Sequence, residues 1–225
     1  MAVSFNTVSR TGGEMGGMQK TPDFDGAAAF MAGHARVVDR RLFQRLFSGG
    51  AAGAVRDAVA AYRNCDGGFG FALEPDCRSA ASQPAAVEMA LRLLDIADEW
   101  DPQLVTDAVD WLAAVAPAEG GAAFVEPSVA EGPHAPWWVP EEGHPASLIQ
   151  TGQIAGVLSA RGFAHPWLDR ATEVMLVAHR DAHRAERVRD VRRARLPAAR
   201  PGPAARHGGV LPGRGAAAVG RAGGA

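Results

Sequence analysis

Two carboxylates in a predicted loop, Glu74 and Asp76, lie two residues apart and form the closest candidate for a crowded acidic pair. When two such groups crowd together, one of them keeps its proton to a higher pH than usual and can serve as an acid. We therefore predict that Glu74 and Asp76 are candidate catalytic residues. The alternative role is structural, in which they hold the loop and cap the helix that follows. A second pair, Asp107 and Asp110, lies three residues apart on a predicted helix, a spacing that is common on solvated faces.

Four aromatic residues are candidates for contacts with a substrate. Trp137 and Trp138 stand in a proline-stiffened segment, residues 133–140, and Phe69 and Phe71 lie close to the acidic pair. Tryptophans on such a loop form stacking or cation–π contacts with a ligand. They also cover apolar surface well, so the alternative prediction is that Trp137 and Trp138 form a lid over the core.

Several kinds of catalytic motif are absent from the sequence. There is no Gly-rich phosphate loop of the Walker type and no serine in a Gly-x-Ser-x-Gly elbow. Residues of the types that bind zinc are present, but their spacing does not gather them into one site. These residues are Cys65, Cys77, His134 and His144. We accordingly predict no metal and no cofactor.

Hydrophobic periodicity predicts six helices that must position these residues. They pair into three hairpins over residues 24–63, 84–116 and 145–179, and the first helix is expected to run unbroken to the glycines at 49–50. Proline suits the first turn of a helix, where its missing N–H would be unpaired anyway. The helix starts predicted in this way are Gln83-Pro84 with Ser82 as the cap, Asp101-Pro102, His144-Pro145 and His165-Pro166.

Both loops between hairpins carry two adjacent glycines followed by an aromatic residue. Glycine adopts positive φ where the chain reverses, and an acid accepts backbone N–H groups of such a turn. The first copy therefore predicts a structural turn formed by Asp66, Gly67, Gly68 and Gly70; the second has Gly120, Gly121 and Phe124. An internal repeat of this size is typical of stacked αα-hairpins, with an ordinary six-helix bundle as the alternative.

The segment 61–70 resembles the repeat of squalene and terpene cyclases and of protein prenyltransferase β-subunits. In that repeat a helix ends in a Gln-bearing turn before Asp-Gly-Gly and an aromatic residue; here Arg63 replaces the Gln. The resemblance covers about residues 25–179 and implies an all-α fold, an incomplete α/α-toroid of about three helical hairpins. It also implies a prenyltransferase- or cyclase-like domain that acts on an isoprenoid or similarly apolar substrate.

The chain departs from that family in the residues that do its chemistry. The acidic motifs of the cyclases, Asp-x-Asp-Asp or Asp-Cys-Thr-Ala-Glu, do not occur. A truncated and inactive domain is therefore one expectation, and a non-catalytic helical-repeat module that binds a partner is another. A third is a carbohydrate-active α/α-barrel enzyme, which would use separated carboxylates such as Glu74, Asp76 and Glu126 with Trp137 as a sugar platform.

Composition divides the chain into three segments. Residues 1–23 are predicted to be a disordered leader, residues 24–179 the toroid domain, and residues 180–225 a disordered tail rich in Arg, Ala, Gly and Pro. The tail holds eleven arginines and three acidic residues, a net charge of +8, although the whole chain carries −2. An out-of-frame origin explains such a composition better than a nucleic-acid-binding tail does, so we predict no specific nucleic-acid binding.

The predicted location is the cytoplasm. No stretch reaches the ~18 consecutive apolar residues of a membrane span, and no secretory signal precedes the two cysteines. An incomplete toroid would expose apolar helix faces, which predicts self-association.

Overall fold

The computed structural model of the chain describes residues 22–195, with side chains described to residue 186. Within this part the chain forms seven α-helices and one 3-10 helix, and its β contacts are isolated bridges. The all-α class predicted from the sequence is confirmed. The helices are α1 (Phe24–His34), α2 (Val37–Phe47), α3 (Ala54–Ala60), α4 (Pro84–Ala97), α5 (Pro102–Val115), the 3-10 helix Pro127–Glu131, α6 (Leu148–Ala160) and α7 (Pro166–Arg195).

The prediction of one unbroken helix from residue 24 to residue 47 is wrong, because the chain breaks between α1 and α2. Arg36 leaves the helical conformation and becomes the residue that precedes α2. Its guanidinium donates hydrogen bonds to the carbonyl oxygens of Ala72 and Leu73, both at 2.8 Å, and also binds Asp39. Contacts between the Arg36 side chain and a distant loop therefore stabilise the chain at the break.

Two predicted helix starts are confirmed. α5 begins at Pro102, and the Asp101 carboxylate accepts from the backbone N–H groups of Gln103 and Leu104. α7 begins at Pro166. In both cases the signal is local, since a proline in the first turn specifies the boundary without help from the rest of the fold.

The other two predicted starts need correction. α4 begins at Pro84 as expected, but the residue at its N-cap is Gln83 and not Ser82. The Gln83 side chain forms no cap bond to the start of the helix. The Ser82 hydroxyl, which was predicted to cap it, donates to Asp66 instead. α6 begins at Leu148, later than the predicted His144-Pro145, because the Ser147 hydroxyl provides the cap. In each case a polar side chain forms a bond that the sequence pattern did not specify.

The long helix α7 also corrects the predicted boundary of the tail. Residues 180–195 were expected to be disordered, yet they continue α7 to Arg195. This stretch contains no Gly or Pro and is rich in Arg and Ala, which are strong helix formers. The described chain separates into two units after Asp181, the second consisting of the helical residues 182–195. The remainder of the predicted tail and leader, residues 196–225 and 1–21, lies outside the described residues.

The core is organised around α4. This helix contacts α2, α3, α5 and α6, and ten of its fourteen residues are buried. α2, α4 and α6 come from successive predicted hairpins and form a row, with α4 in contact with both of the others. The loop that enters α4, residues 64–83, carries the turn and the acidic pair, so α4 fixes the position of both.

Apolar side chains remain exposed on the first and last helices of the first unit. Phe24, Phe30 and Phe47 are exposed on α1 and α2, and Leu148, Ile149, Leu176 and Val177 are exposed on α6 and α7. The self-association expected from such faces stays a prediction. No described helix combines the length and the hydropathy that crossing a bilayer requires.

Candidate functional site

The turn after α3 is closed by hydrogen bonds between nearby residues. The backbone N–H of Asn64 donates to the Gly68 carbonyl at 2.8 Å, and that of Gly70 donates to the Tyr62 carbonyl at 3.0 Å. Asp66 Oδ1 accepts from the Gly68 N–H at 2.9 Å and from the Ser82 hydroxyl at 2.7 Å. The acid thus joins its own turn to the residues that enter α4.

The acidic pair follows a strained stretch of backbone. Phe71 and Ala72 both adopt positive φ, at 54° and 63°, which is uncommon for residues other than glycine. Arg36 holds this stretch from outside, because it donates to the carbonyls of Ala72 and Leu73. Glu74 follows directly, so its position is set by backbone that the rest of the fold must hold in place.

Glu74 lies in a group of three neighbouring carboxylates. Burial raises the pKa of the half-buried Glu74 carboxyl, and the charges of Asp76 and Glu88 raise it further. Glu88 comes from α4 and is itself buried, which raises its pKa as well. Arg92 lies 3.2 Å from the Glu88 carboxylate and partly offsets the negative charge. The result is an acidic cluster in which Glu74 keeps its proton to a higher pH than a solvated carboxyl does.

The structure brings one of the two predicted tryptophans to this cluster. Trp138 is 6% exposed, and its indole N–H donates to Asp76 Oδ1 at 2.9 Å. Its ring stacks on Phe124 with the centroids 4.9 Å apart. Trp137 is 61% exposed at the surface and takes no part in this packing. The two tryptophans therefore differ in role, since Trp138 covers a small apolar cluster and Trp137 faces the solvent.

The two phenylalanines predicted to bind substrate are not gathered around the acidic pair. Phe69 is 1% exposed and belongs to the main core, so its surface is covered by protein. Phe71 is exposed on the strained loop. The loop that carries Trp138 is held to the acidic segment by backbone bonds, including Ala135 N–H to the Asp76 carbonyl at 2.8 Å. The fold thus joins Asp76 directly to Trp138.

An open pocket of about 460 Å³ lies beside the Asp66 turn rather than at the acidic pair. Its walls combine the turn, the segment before α4, one side of α5 and the start of the 3-10 helix. Glu126, which lines it, is buried and has both carboxylate oxygens within 3.1 Å of His144 Nε2. The backbone N–H of Glu126 donates to Gln83 Oε1, which anchors this wall to the start of α4.

The residues that line this pocket were not predicted to form one site. Asp66 was predicted for the turn, and Glu126 only for a carbohydrate site. The signal that could have been used is the Ser82-Gln83 pair before Pro84, since two polar residues immediately before a buried helix must find partners. Gln83 bridges to Ser128 and Glu126, and Ser82 bridges to Asp66.

The cysteines do not form a metal site with their neighbours. Cys65 is exposed at the pocket, whereas Cys77 is buried, and burial raises the pKa of the Cys77 thiol to about 11. Across the described side chains, no group of three or more His, Cys, Asp or Glu residues is placed to hold a metal ion. The two thiols therefore differ in reactivity, because the thiolate is the nucleophile and Cys65 is the accessible one.

Comparison with known proteins gives no relative: no family model, no curated protein and no solved structure matches this chain.

The raised pKa of Glu74 predicts a specific pH dependence of stability. Between its ordinary value of 4.5 and the raised value, the folded state binds more protons than the unfolded state. The contribution of Glu74 to the free energy of unfolding must therefore fall as pH rises through that window. We expect Glu74→Gln, which cannot ionise, to gain stability relative to the wild type over the same pH range.

Urea unfolding of both proteins at several pH values from 4 to 7 measures this difference. Glu142→Gln, a change at an exposed loop position, is the control for loss of one negative charge. A difference between Glu74→Gln and the wild type that stays constant over the range would contradict the burial of the Glu74 carboxyl.

Proposed function

We propose that residues 24–179 form a prenyltransferase- or terpenoid-cyclase-like α/α-toroid domain that binds an isoprenoid or similarly apolar molecule. The observation that carries the proposal is the row of α2, α4 and α6, in which one helix from each of three successive hairpins packs against the next. In an α/α-toroid the inner helices follow one another in this way, and the second helix of each hairpin lies outside. The Asp-Gly-Gly-Phe turn between the first two hairpins supports the same assignment.

The role that fits Glu74 in this proposal is that of a general acid, which would donate its proton to the bound molecule and become a carboxylate. Its raised pKa leaves it protonated where a solvated carboxyl has ionised, as a general acid requires. Asp76, held by Trp138, would orient the acid.

The strained backbone before Glu74 also supports a functional role for this loop. Consecutive residues at positive φ cost folding free energy, and such strain clusters at sites where a side chain must be aimed. Phe71 and Ala72 have this conformation and are held by Arg36.

Incubation with squalene and with polyprenyl diphosphates, followed by mass spectrometry of the products, tests the proposal. The proteins compared are the wild type, Glu74→Gln, Asp76→Asn and the exposed control Glu142→Gln. Conversion by the wild type and by the control, with loss in both site variants, is the expected result. Conversion that survives Glu74→Gln would rule out its role as the acid.

Binding must be measured in the same series, because a helical-repeat module would bind without turnover. Quenching of tryptophan fluorescence by each isoprenoid gives the affinity. Equal binding by all four proteins with no product favours the non-catalytic module over the enzyme. Neither binding nor conversion by any of them would overturn the proposed function itself.

A further inference from the structure

The pocket beside the Asp66 turn offers mainly hydrogen-bond acceptors. Asp66 uses Oδ1 for Gly68 and Ser82, while Oδ2 has no bond to a described residue. Glu126 presents two oxygens to a single nitrogen of His144, so each retains a free lone pair. The Ser82 hydroxyl has used its one proton, since it donates to Asp66, and it also accepts from Asn64.

The charge of the pocket is negative. Its lining includes the two carboxylates of Asp66 and Glu126 and no Lys or Arg. His144 stands behind Glu126 and offsets part of one charge when protonated. Arg63, from the same turn, is paired with Asp107 outside the lining. A ligand that carries a positive charge and donates hydrogen bonds therefore complements this wall.

Part of the lining is apolar. Trp111 and Val115 from α5 form it together with Pro127 at the start of the 3-10 helix. Trp111 is 7% exposed, so only a small part of its ring faces the pocket. This small area suits contact with an apolar group better than stacking against a whole sugar ring. The volume of about 460 Å³ lies in the ordinary range of small-molecule sites.

We propose that this pocket binds a small organic cation, a protonated amine that carries an apolar group. The ammonium group would donate to Asp66 and Glu126, and the apolar group would pack against Trp111 and Val115. Charge-assisted hydrogen bonds of this kind are the strong ones in a partly desolvated site. The proposal does not rest on the isoprenoid function, because the pocket and the acidic pair share no lining residue.

Cys65 provides the measurement, since it lines the pocket and is the exposed thiol of the two. The rate of its alkylation by iodoacetamide, followed by peptide mass spectrometry, reports whether the pocket is filled. The probes are 2-phenylethylamine, its neutral counterpart 2-phenylethanol, and the anion phenylacetate. We expect the amine to protect Cys65 at a concentration about tenfold lower than the alcohol, and phenylacetate to give no protection.

Two variants separate the carboxylate from general effects on charge. Glu126→Gln keeps the shape of the side chain and should remove most of the advantage of the amine over the alcohol. Glu131→Gln, at the exposed end of the same 3-10 helix, should leave that advantage unchanged. Thermal unfolding of each variant establishes that it folds. A second readout on the wild type, the indole N–H resonance of Trp111 in an NMR titration, does not depend on any substitution at Glu126.

Each outcome decides the proposal. Protection and a shift of the Trp111 resonance with the amine, both weakened in Glu126→Gln, support it. Equal protection by the alcohol or stronger protection by phenylacetate would overturn it. No protection and no resonance shift up to about 10 mM amine would also overturn it, since that corresponds to less than about 3 kcal/mol of binding free energy.

Discussion

Replacing Gly70 by Ala is expected to destabilise the fold by about 3 kcal/mol, the upper part of the range for overpacking. A Cβ at this position would lie 2.3 Å from the carbonyl oxygen of Ala80 and 2.6 Å from that of Ala81. Both are backbone atoms, so no side-chain rotation relieves the clash. The two segments cannot move apart easily, because Phe71 N–H donates to the Ser79 carbonyl on one side of Gly70.

The measurement is the free energy of unfolding in urea, with Gly156→Ala as the matched control. Gly156 lies in α6, and a Cβ there would meet nothing within 4 Å. The same substitution should therefore stabilise the protein at that position, by roughly 0.5–1 kcal/mol, through helix propensity. If Gly70→Ala changed stability as little as Gly156→Ala does, the close packing of the turn against residues 80–81 would be wrong.

This turn shows which features of the fold the sequence could predict. The Asp-Gly-Gly pattern predicted a chain reversal, and the Asp66 carboxylate does bind the Gly68 N–H. The starts of α5 and α7 were predictable for a similar reason, since Pro102 and Pro166 set a first turn by local geometry alone. Signals that act within a few residues along the chain are visible without knowledge of the tertiary structure.

Features that depend on contacts between distant residues were not predictable in this way. The break between α1 and α2 has no Pro or Gly at the break itself; it is stabilised by Arg36 reaching carbonyls 36 and 37 residues further along the chain. Trp137 and Trp138 are adjacent and chemically identical, so composition cannot tell which one is buried. Their difference follows from the hydrogen bond between Trp138 and Asp76, which are 62 residues apart.

The candidate site follows the same rule. Pairing Glu74 with Asp76 required only their spacing, whereas the part played by Glu88 required α4 to pack against their loop. The pocket at Asp66 was missed because its walls come from four separate segments between residues 64 and 128. No period or motif in the sequence brings those segments together.

A second large effect is expected at Glu99, whose role also depends on a distant contact. Glu99 Oε2 accepts from the backbone N–H groups of Val55 and Arg56, at 2.9 and 3.0 Å. Both N–H groups belong to the first turn of α3, and Gly53, which precedes the helix, has no side chain to cap them. Glu99→Ala would leave both N–H groups without this partner, so we expect a loss of about 2 kcal/mol in the free energy of unfolding.

Two further variants distinguish the cap from the charge. Glu99→Gln keeps an oxygen that can accept both bonds and should lose less stability than Glu99→Ala. Asp57→Ala removes an exposed carboxylate from α3. Its described partner is the neighbouring Arg56, so the substitution should leave stability close to that of the wild type. Urea unfolding measures all three. The Glu99 cap joins the start of α3 to the residues after α4. If Glu99→Ala cost no more stability than Asp57→Ala, packing between the helices would hold α3 in place without the cap.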